Sequence, residues 1–321
     1  MSAAGSSEAE RATLAASRRE FIQVARSFWL IPEIIPPRER DDVALLYCFC
    51  RHLDDAVDEA RSSDEARRAL EQFRGELRGT KAARPLVAAL LARAPQSGLP
   101  LACADFLLGG MESDLGLVRF EGDAALLRYA YQVSAAVGLM LAPLLGVRPG
   151  ESAQRVVDLG LALQLSNIVL GVEGDARRGR VYLPESRLAA AGLTADDVLR
   201  APGDARLLPV LAGLEGLSQR YYQSAQEGAA LWPLRYRHGI LLLAQVYRGA
   251  ASEVARGAPA PASPAQISLR TKLRGMASML ASAARPRTLG LARAPLHDPA
   301  LHRAIAGWPG ANPRSAPEGN P

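Results

Sequence analysis

Two stretches of this sequence carry residue types and spacings that could do chemistry. The first is DDVALLYCFCRHLDDAVDEA, residues 41–60. On a helix turning about 100° per residue, its apolar stripe runs through Val43, Leu46, Tyr47, Cys50 and Val57. Asp54 falls in the middle of that stripe and Asp58 at its edge, with Arg51 flanking them. Asp55 and Glu59 can point to water, whereas Asp54 cannot do so without turning Tyr47 and Cys50 outward. A carboxylate facing a core needs a cation or a polar cavity. Asp54 and Asp58 are one turn apart, so their oxygens can converge on a hard cation such as Mg²⁺. A solvated acidic helix end is the bland alternative, and the stripe argues against it.

The second stretch is QLSNIVLGVEGDARRGRVYLP, residues 164–184. Gln164, Asn167, Gly171 and Asp175 share a helical arc with the apolar Val157, Leu161, Ile168 and Val172. An inward Gln or Asn is as often only a core hydrogen-bonder. A second inward polar helix in the same chain shifts the balance toward a metal-lined cavity. The basic loop that follows, with Arg177, Arg178 and Arg180, supplies guanidiniums suited to phosphate oxygens. Carboxylates on two facing helices with Mg²⁺ between them and arginines nearby would suit the departure of a diphosphate. The metal would neutralise the leaving group, and apolar walls would keep water from a carbocation.

Helices must position these groups. Strand signals are nearly absent, and Ala- and Leu-rich segments of 3.6-residue period recur. The periodicity predicts helices near 9–28, 39–60, 63–78, 82–94, 100–117, 123–147, 151–172, 204–231, 233–257 and 264–284. Pro36-Pro37, Pro100, Pro149-Gly150, Pro202-Gly203 and Pro233 punctuate them. The expected architecture is all-α, a bundle of more than four helices around a central cavity. The domain is expected to span 9–285. Residues 286–321, rich in Pro, Gly and Arg, read as a disordered tail with Trp308 as its one docking candidate, dispensable for the chemistry.

Hydrophobic residues make up 49% of the 321, ample for a core, and the net charge is +5 with a pI near 9.4. That balance favours anionic partners, but no basic block is interleaved with aromatics, so nucleic acid is not expected. Cys48, Cys50 and Cys103 lie in apolar helical patterns and read as reduced core thiols in a cytoplasmic protein. The four His show no ligand spacing. Residues 1–20 lack the apolar run of a signal peptide, and GILLLAQVY from Gly239 is too short to span a membrane. No G-x-G-x-x-G unit is present.

At these residues the sequence resembles the squalene/phytoene synthase family, most of all its bacterial presqualene diphosphate synthases. The resemblance runs over roughly residues 17–280, through SFW at 27–29, PPRERDDVALLYCFCRHLDDAVDE at 36–59 and GGMESDL at 109–115. It continues through YAYQVSAAVGLM at 129–140 and the motif at 164–184. It implies an isoprenoid-synthase helical fold and head-to-head joining of two allylic prenyl diphosphates through a cyclopropylcarbinyl diphosphate. The substrate would be farnesyl diphosphate, giving presqualene diphosphate or squalene, or geranylgeranyl diphosphate, giving phytoene. By resemblance, Arg51, Asp54 and Asp58 form the first metal and diphosphate site. Gln164, Asn167 and Asp175 form the second, with Mg²⁺ held by Asp54, Asp58, Asn167 and Asp175. Arg180 and Tyr182 would contact diphosphate, Tyr131 would sit beside the reacting carbons, and Ser27, Phe28 and Tyr47 would line the cavity. Lipid substrates imply peripheral contact at the inner face of the membrane.

The family's second motif is D-x-x-x-D preceded by Arg. Here Leu170 and Gly171 stand where Arg and the first Asp belong, and Ala135 stands where Gly is usual. Glu173 lies on the far side of a regular helix and reaches the site only if the Gly171–Gly174 turn unwinds. These departures leave two alternatives: the same fold acting as a cyclase or on another acceptor, or a diverged non-catalytic member.

Overall fold

The computed structural model describes residues 8–25, 35, 37–147, 150–261, 266–286, 288–291 and 293–312, and among them no strand occurs. Ser27 and Phe28 lie outside the described residues. The chain runs through α1 (Glu8–Ala25), α2 (Pro37–Asp58), α3 (Ser63–Leu77), α4 (Pro85–Ser97), α5 (Ala102–Ser113) and α6 (Asp123–Ala130). A π-turn at Tyr131–Ala135 joins α6 to α7 (Ala136–Leu144). There follow α8 (Glu151–Arg177), α9 (Glu185–Ala190), α10 (Ala195–Arg200), α11 (Leu208–Glu227), α12 (Leu234–Ala255) and α13 (Leu269–Ala283). The short α9 and α10 escape the periodicity because each is under two turns, yet α10 carries a full capping box between Thr194 and Asp197.

The long α8 is the axis of the bundle. It packs against the π-turn, α7, α11 and α12, while α2 packs on α1, α3, α4 and α7. The two acidic helices, α2 and α8, do not pack closely on each other. The π-turn meets α8 at its closest point. A Cβ on Gly160 would lie 2.5 Å from the Ala135 Cα, and Ser134 Oγ donates to the Gly160 carbonyl at 2.9 Å. Ala135 is fully buried in that contact, so its methyl bears on the α8 backbone and not on an open pocket wall.

Two stretches, Asp123–Leu144 and Ser152–Arg177, are long and apolar enough by composition to cross a membrane. About half of each is buried inside the bundle, as the interior helices of a packed core would be.

The C-terminal region differs from the disordered tail that its composition suggests. Residues 299–305 form a 3₁₀ helix with Leu301, His302 and Ile305 buried. Trp308 packs on Phe106 and Tyr131, with ring centroids 5.1 Å and 5.0 Å apart. The tail has little apolar surface, but it carries hydrogen-bonding groups that meet buried partners on α8.

Candidate active site

The site is built where the C-terminal ends of α2 and α8 come together. α8 stays regular to Arg177, past the expected end near 172. It then stops at a left-handed Gly179 (φ +74), with Arg180 N–H bonding the Asp175 carbonyl and Gly179 N–H bonding the Ala176 carbonyl. This Schellman closure requires Gly at the reversal. It also swings Arg180 back across the gap, where its guanidinium pairs with Asp58 at 3.2 Å. Arg177 and Arg178 stay exposed, and Arg177 pairs outward with Glu173. Because the helix does not unwind, Glu173 stays off the site.

Asp54 is exposed and Asp55 less so, the reverse of what the apolar stripe implied, so water reaches Asp54 directly even though protein crowds it. Loss of hydration and repulsion from Asp58 push its pKa up to about 6, against a partial offset from Arg51. Asp175 is likewise pushed to about 6 by burial, beside the apolar wall of Ile168, Val172, Val181 and Leu183. Arg178 and Arg180 pull it down, while Asp114 and Asp58 push it up. Arg51 is exposed and pairs with Asp55 at 2.9 Å, so it does not face the two aspartates directly. Gln164 is half-buried and Asn167 exposed on a helix whose Leu165, Ser166, Ile168 and Val169 are buried. Tyr47 is partly buried on the inner face of α2, packed at 5.4 Å on Phe21.

Gly171 has a structural role. A Cβ placed there would sit 2.9 Å from Asp175 Oδ2. The Asp175 carboxylate leans back one turn toward the helix N-terminus and fills the space that a side chain at 171 would take.

Asp114, just beyond the end of α5, is the acidic group that sequence reasoning left without a role. Its two oxygens accept from the hydroxyls of Tyr129 and Tyr182, both at 3.0 Å. Burial raises its pKa, while those two hydrogen bonds and the charge of Arg180 oppose the rise. The two tyrosine rings stack at 5.2 Å. Tyr182 therefore reaches the cluster through Asp114. Tyr131 is not brought there: it is fully buried and its hydroxyl donates to the Pro309 carbonyl at 2.6 Å. Tyr129 and Tyr131 are two residues apart and point to different sides of the helix, and it is Tyr129 that faces the acids. The signal for Asp114 lay in GGMESDL, where it is the second of two acids closing an apolar helix.

The donor set fits a hard divalent cation. Asp54, Asp58 and Asp175 are carboxylates with raised or mutually repelling charge, and a metal would relieve that repulsion. Three ligand atoms from them do not gather within 4.8 Å. Among the described residues only Asp158, His297 and His302 do so, which the spacing of the histidines had not suggested. The hydrogen bonds at that second cluster fit a closed hydrogen-bonded clamp better than a metal site. The Asn312 N–H donates to His302 Nδ1 at 3.3 Å and the Asn312 side-chain amide donates to His297 Nδ1 at 3.2 Å. Both Nε2 atoms then carry protons, and both donate to Asp158 at 3.0 Å. A metal would need the lone pairs that those protons occupy.

Residues 22–273 match the squalene/phytoene synthase family. The chain belongs to that family. It is 34% identical over 255 residues to the 15-cis-phytoene synthase of Paracoccus sp., covering 76% of this chain and 82% of the relative. It is 35% identical over 251 residues to the phytoene synthase of Cereibacter sphaeroides, covering 74% and 71%. Among solved structures, a dehydrosqualene synthase superposes with a TM-score of 0.73 at 24% identity, over 85% of this chain and 96% of that one. A squalene synthase from Alicyclobacillus acidocaldarius gives 0.66 at 22% identity, over 77% and 93%. The chain thus has the isoprenoid-synthase helical fold and is a prenyltransferase-type enzyme of a family that condenses prenyl diphosphates head to head with the help of a divalent metal.

Proposed function

We propose that this enzyme condenses two molecules of geranylgeranyl diphosphate to phytoene and depends on Mg²⁺. The substrate length follows the phytoene synthase names of the relatives at 34% and 35% identity, in preference to the presqualene branch that the motifs alone suggested. One observation carries the catalytic part: Arg180 crosses from α8 to Asp58 on α2, joining the two acidic helices over a gap bordered by Asp54, Asp114 and Asp175. When bound, Mg²⁺ neutralises the charge that develops on a departing diphosphate. Asp54 and Asp58 would hold it on one side, and Asp175 with Asn167 on the other. Arg180 offers its guanidinium to the diphosphate oxygens. Asp114, fixed by Tyr129 and Tyr182, holds Arg180 by charge and keeps both hydroxyls at the rim. Ile168, Val172, Val181 and Leu183 pack beside Asp175 around a space no larger than one water, and so make the floor of the site apolar.

The test is incubation of the full chain with labelled geranylgeranyl or farnesyl diphosphate, with and without Mg²⁺, and separation of the products. Phytoene from the C20 substrate alone is expected. Presqualene diphosphate or squalene from the C15 substrate would move the assignment to the other branch. Cyclised C15 or C20 products would replace condensation altogether.

A further inference from the structure

The helix α13 is amphipathic in the inverted sense. Its inward face carries Thr271, Gly275 and Ser282 along with Met279, all buried. Gly275 lets α13 close onto α12, since a Cβ there would lie 2.8 Å from Val246 Cγ2. Thr271 donates to Glu253 at 2.7 Å, and Ser278 to Gln245 at 3.0 Å. The outward face carries leucines: Leu269 is 71% exposed, Leu273 61% and Leu280 59%. At 100° per residue these three fall within roughly 40° of one another, on the side away from Thr271, Gly275 and Ser282. A helix at a water-facing surface places its leucines inward. Here polar and small residues are spent on the contact with α12, and the row of leucines is left outside.

More exposed leucines follow the helix in the chain. Leu289, Leu291 and Leu296 are also exposed, so six of the eight large exposed hydrophobics among the described residues lie between 269 and 296. The charge of this segment of the chain has one sign, although Glu253 of α12 reaches its inner side and pairs with Arg274 at 3.2 Å. From Arg256 to His297 the sequence has no Asp or Glu, and it holds Arg256, Arg270, Lys272, Arg274, Arg285, Arg287 and Arg293. On the helix, Arg270 and Arg274 flank the leucine row on one side and Lys272 on the other.

We propose that this face, centred on Leu269, Leu273 and Leu280, docks the enzyme on an anionic lipid bilayer, with the leucines entering the acyl boundary and the flanking cations meeting the headgroups. The charge selects the occupant. A second copy meeting this face with its own would set cations against cations, and a nucleic acid would leave the leucines in water. The inference rests on the surface alone and is independent of which prenyl diphosphate the site takes.

Flotation of the full-length protein with vesicles of phosphatidylcholine alone, or of equal parts phosphatidylcholine and phosphatidylglycerol, tests it. Binding is expected to the anionic vesicles at low salt and to weaken at high salt. The triple change Leu269→Ser, Leu273→Ser and Leu280→Ser should lower bound protein by roughly tenfold or more. Its far-UV circular dichroism and its turnover of detergent-dispersed substrate should match wild type. Arg270→Glu with Lys272→Glu should weaken binding to anionic vesicles alone. No flotation of wild type on anionic vesicles at low salt overturns the proposal. Undiminished flotation of the triple variant overturns it as well. So does a wild-type dimer in sedimentation that the triple variant converts to monomer, since the face would then be occupied by a second copy.

Discussion

Two aspartates on one helix behave in opposite ways. Asp158 and Asp175 both lie on α8, about 25 Å apart at 1.5 Å per residue. Asp158 is completely buried, yet its pKa is lowered: burial alone would raise it, and the hydrogen bonds of His297 and His302 more than reverse that. Ser224 Oγ adds a third donor at 2.6 Å. Beside it, buried Arg155 donates to the Ser224 carbonyl at 3.0 Å and to the Pro295 carbonyl at 2.6 Å. Gly228 leaves room for that arginine, since a Cβ there would lie 2.2 Å from the Arg155 side chain. Asp175 is less buried and its pKa is raised, because loss of hydration, with smaller repulsion from Asp114 and Asp58, outweighs the attraction of Arg178 and Arg180. A carboxylate with every donor in place marks a clamp that holds the C-terminal segment, even though Arg155 Nε beside it has no partner. Charge left uncompensated marks a place where a ligand completes the coordination.

That contrast can be broken most decisively at the open end. Asp54→Asn, Asp58→Asn and Asp175→Asn should each lower turnover by roughly a hundredfold or more. The melting temperature should hold or rise for Asp54→Asn and Asp175→Asn, which remove like-charge repulsion, and change little for Asp58→Asn, which also removes the half-exposed pair with Arg180. Near-normal turnover in all three would remove the metal assignment.

At the sealed end the order reverses. Asp158→Ala should cost about 3–5 kcal/mol of stability by stripping the charge that His297, His302 and Ser224 were built around. Deletion of residues 293–321 should also destabilise the fold, in place of the neutral outcome that the composition suggested. It leaves Asp158 and Arg155 without their tail partners and bares Phe106 and Tyr131. Unchanged denaturation midpoints for both variants would show that the clamp contributes nothing.

The pH dependence of stability should separate the two ends. Asp158, lowered in the fold, contributes stability that is present above about pH 4 and lost as pH falls through its folded pKa. Asp54 and Asp175, raised to about 6, bind protons more readily folded than unfolded. Their effect is to favour the fold progressively as pH drops from about 6 toward 4. Metal-free Asp54→Asn with Asp175→Asn should therefore show a flatter stability profile between pH 4 and 6 than wild type. Superimposable profiles would contradict the raised values.

The smallest expected effect is at Gly171. In Gly171→Asp the new Cβ displaces the Asp175 carboxylate, a flexible end that can swing aside, and the helix gains about a few tenths of a kcal/mol. The variant should need less Mg²⁺ for half-maximal rate and give the same product. A changed product would mean that the glycine serves another reaction. Adding Leu170→Arg is less favourable than the motif suggests, because Leu170 packs against the core.

The sequence by itself determined the helices, the all-α class and the two acidic motifs, because those depend on residues a few positions apart. The stripe that placed Asp54 among Val43, Tyr47 and Cys50, and the arc shared by Asn167 and Asp175, are local periodicities of one helix. What needed the tertiary structure was every relation across the chain. That Asp58 meets Arg180 depends on the left-handed turn at Gly179 and on how α2 stands against α8. That Tyr129 and not Tyr131 faces Asp114 depends on which side of α6 turns toward α5 and the loop at Tyr182. The docking of residues 293–312 was hidden for the same reason. Composition measures apolar content, whereas this segment is held by two histidines and an asparagine whose partner, Asp158, lies well over a hundred residues earlier and reads in the sequence as one acid on an apolar helix.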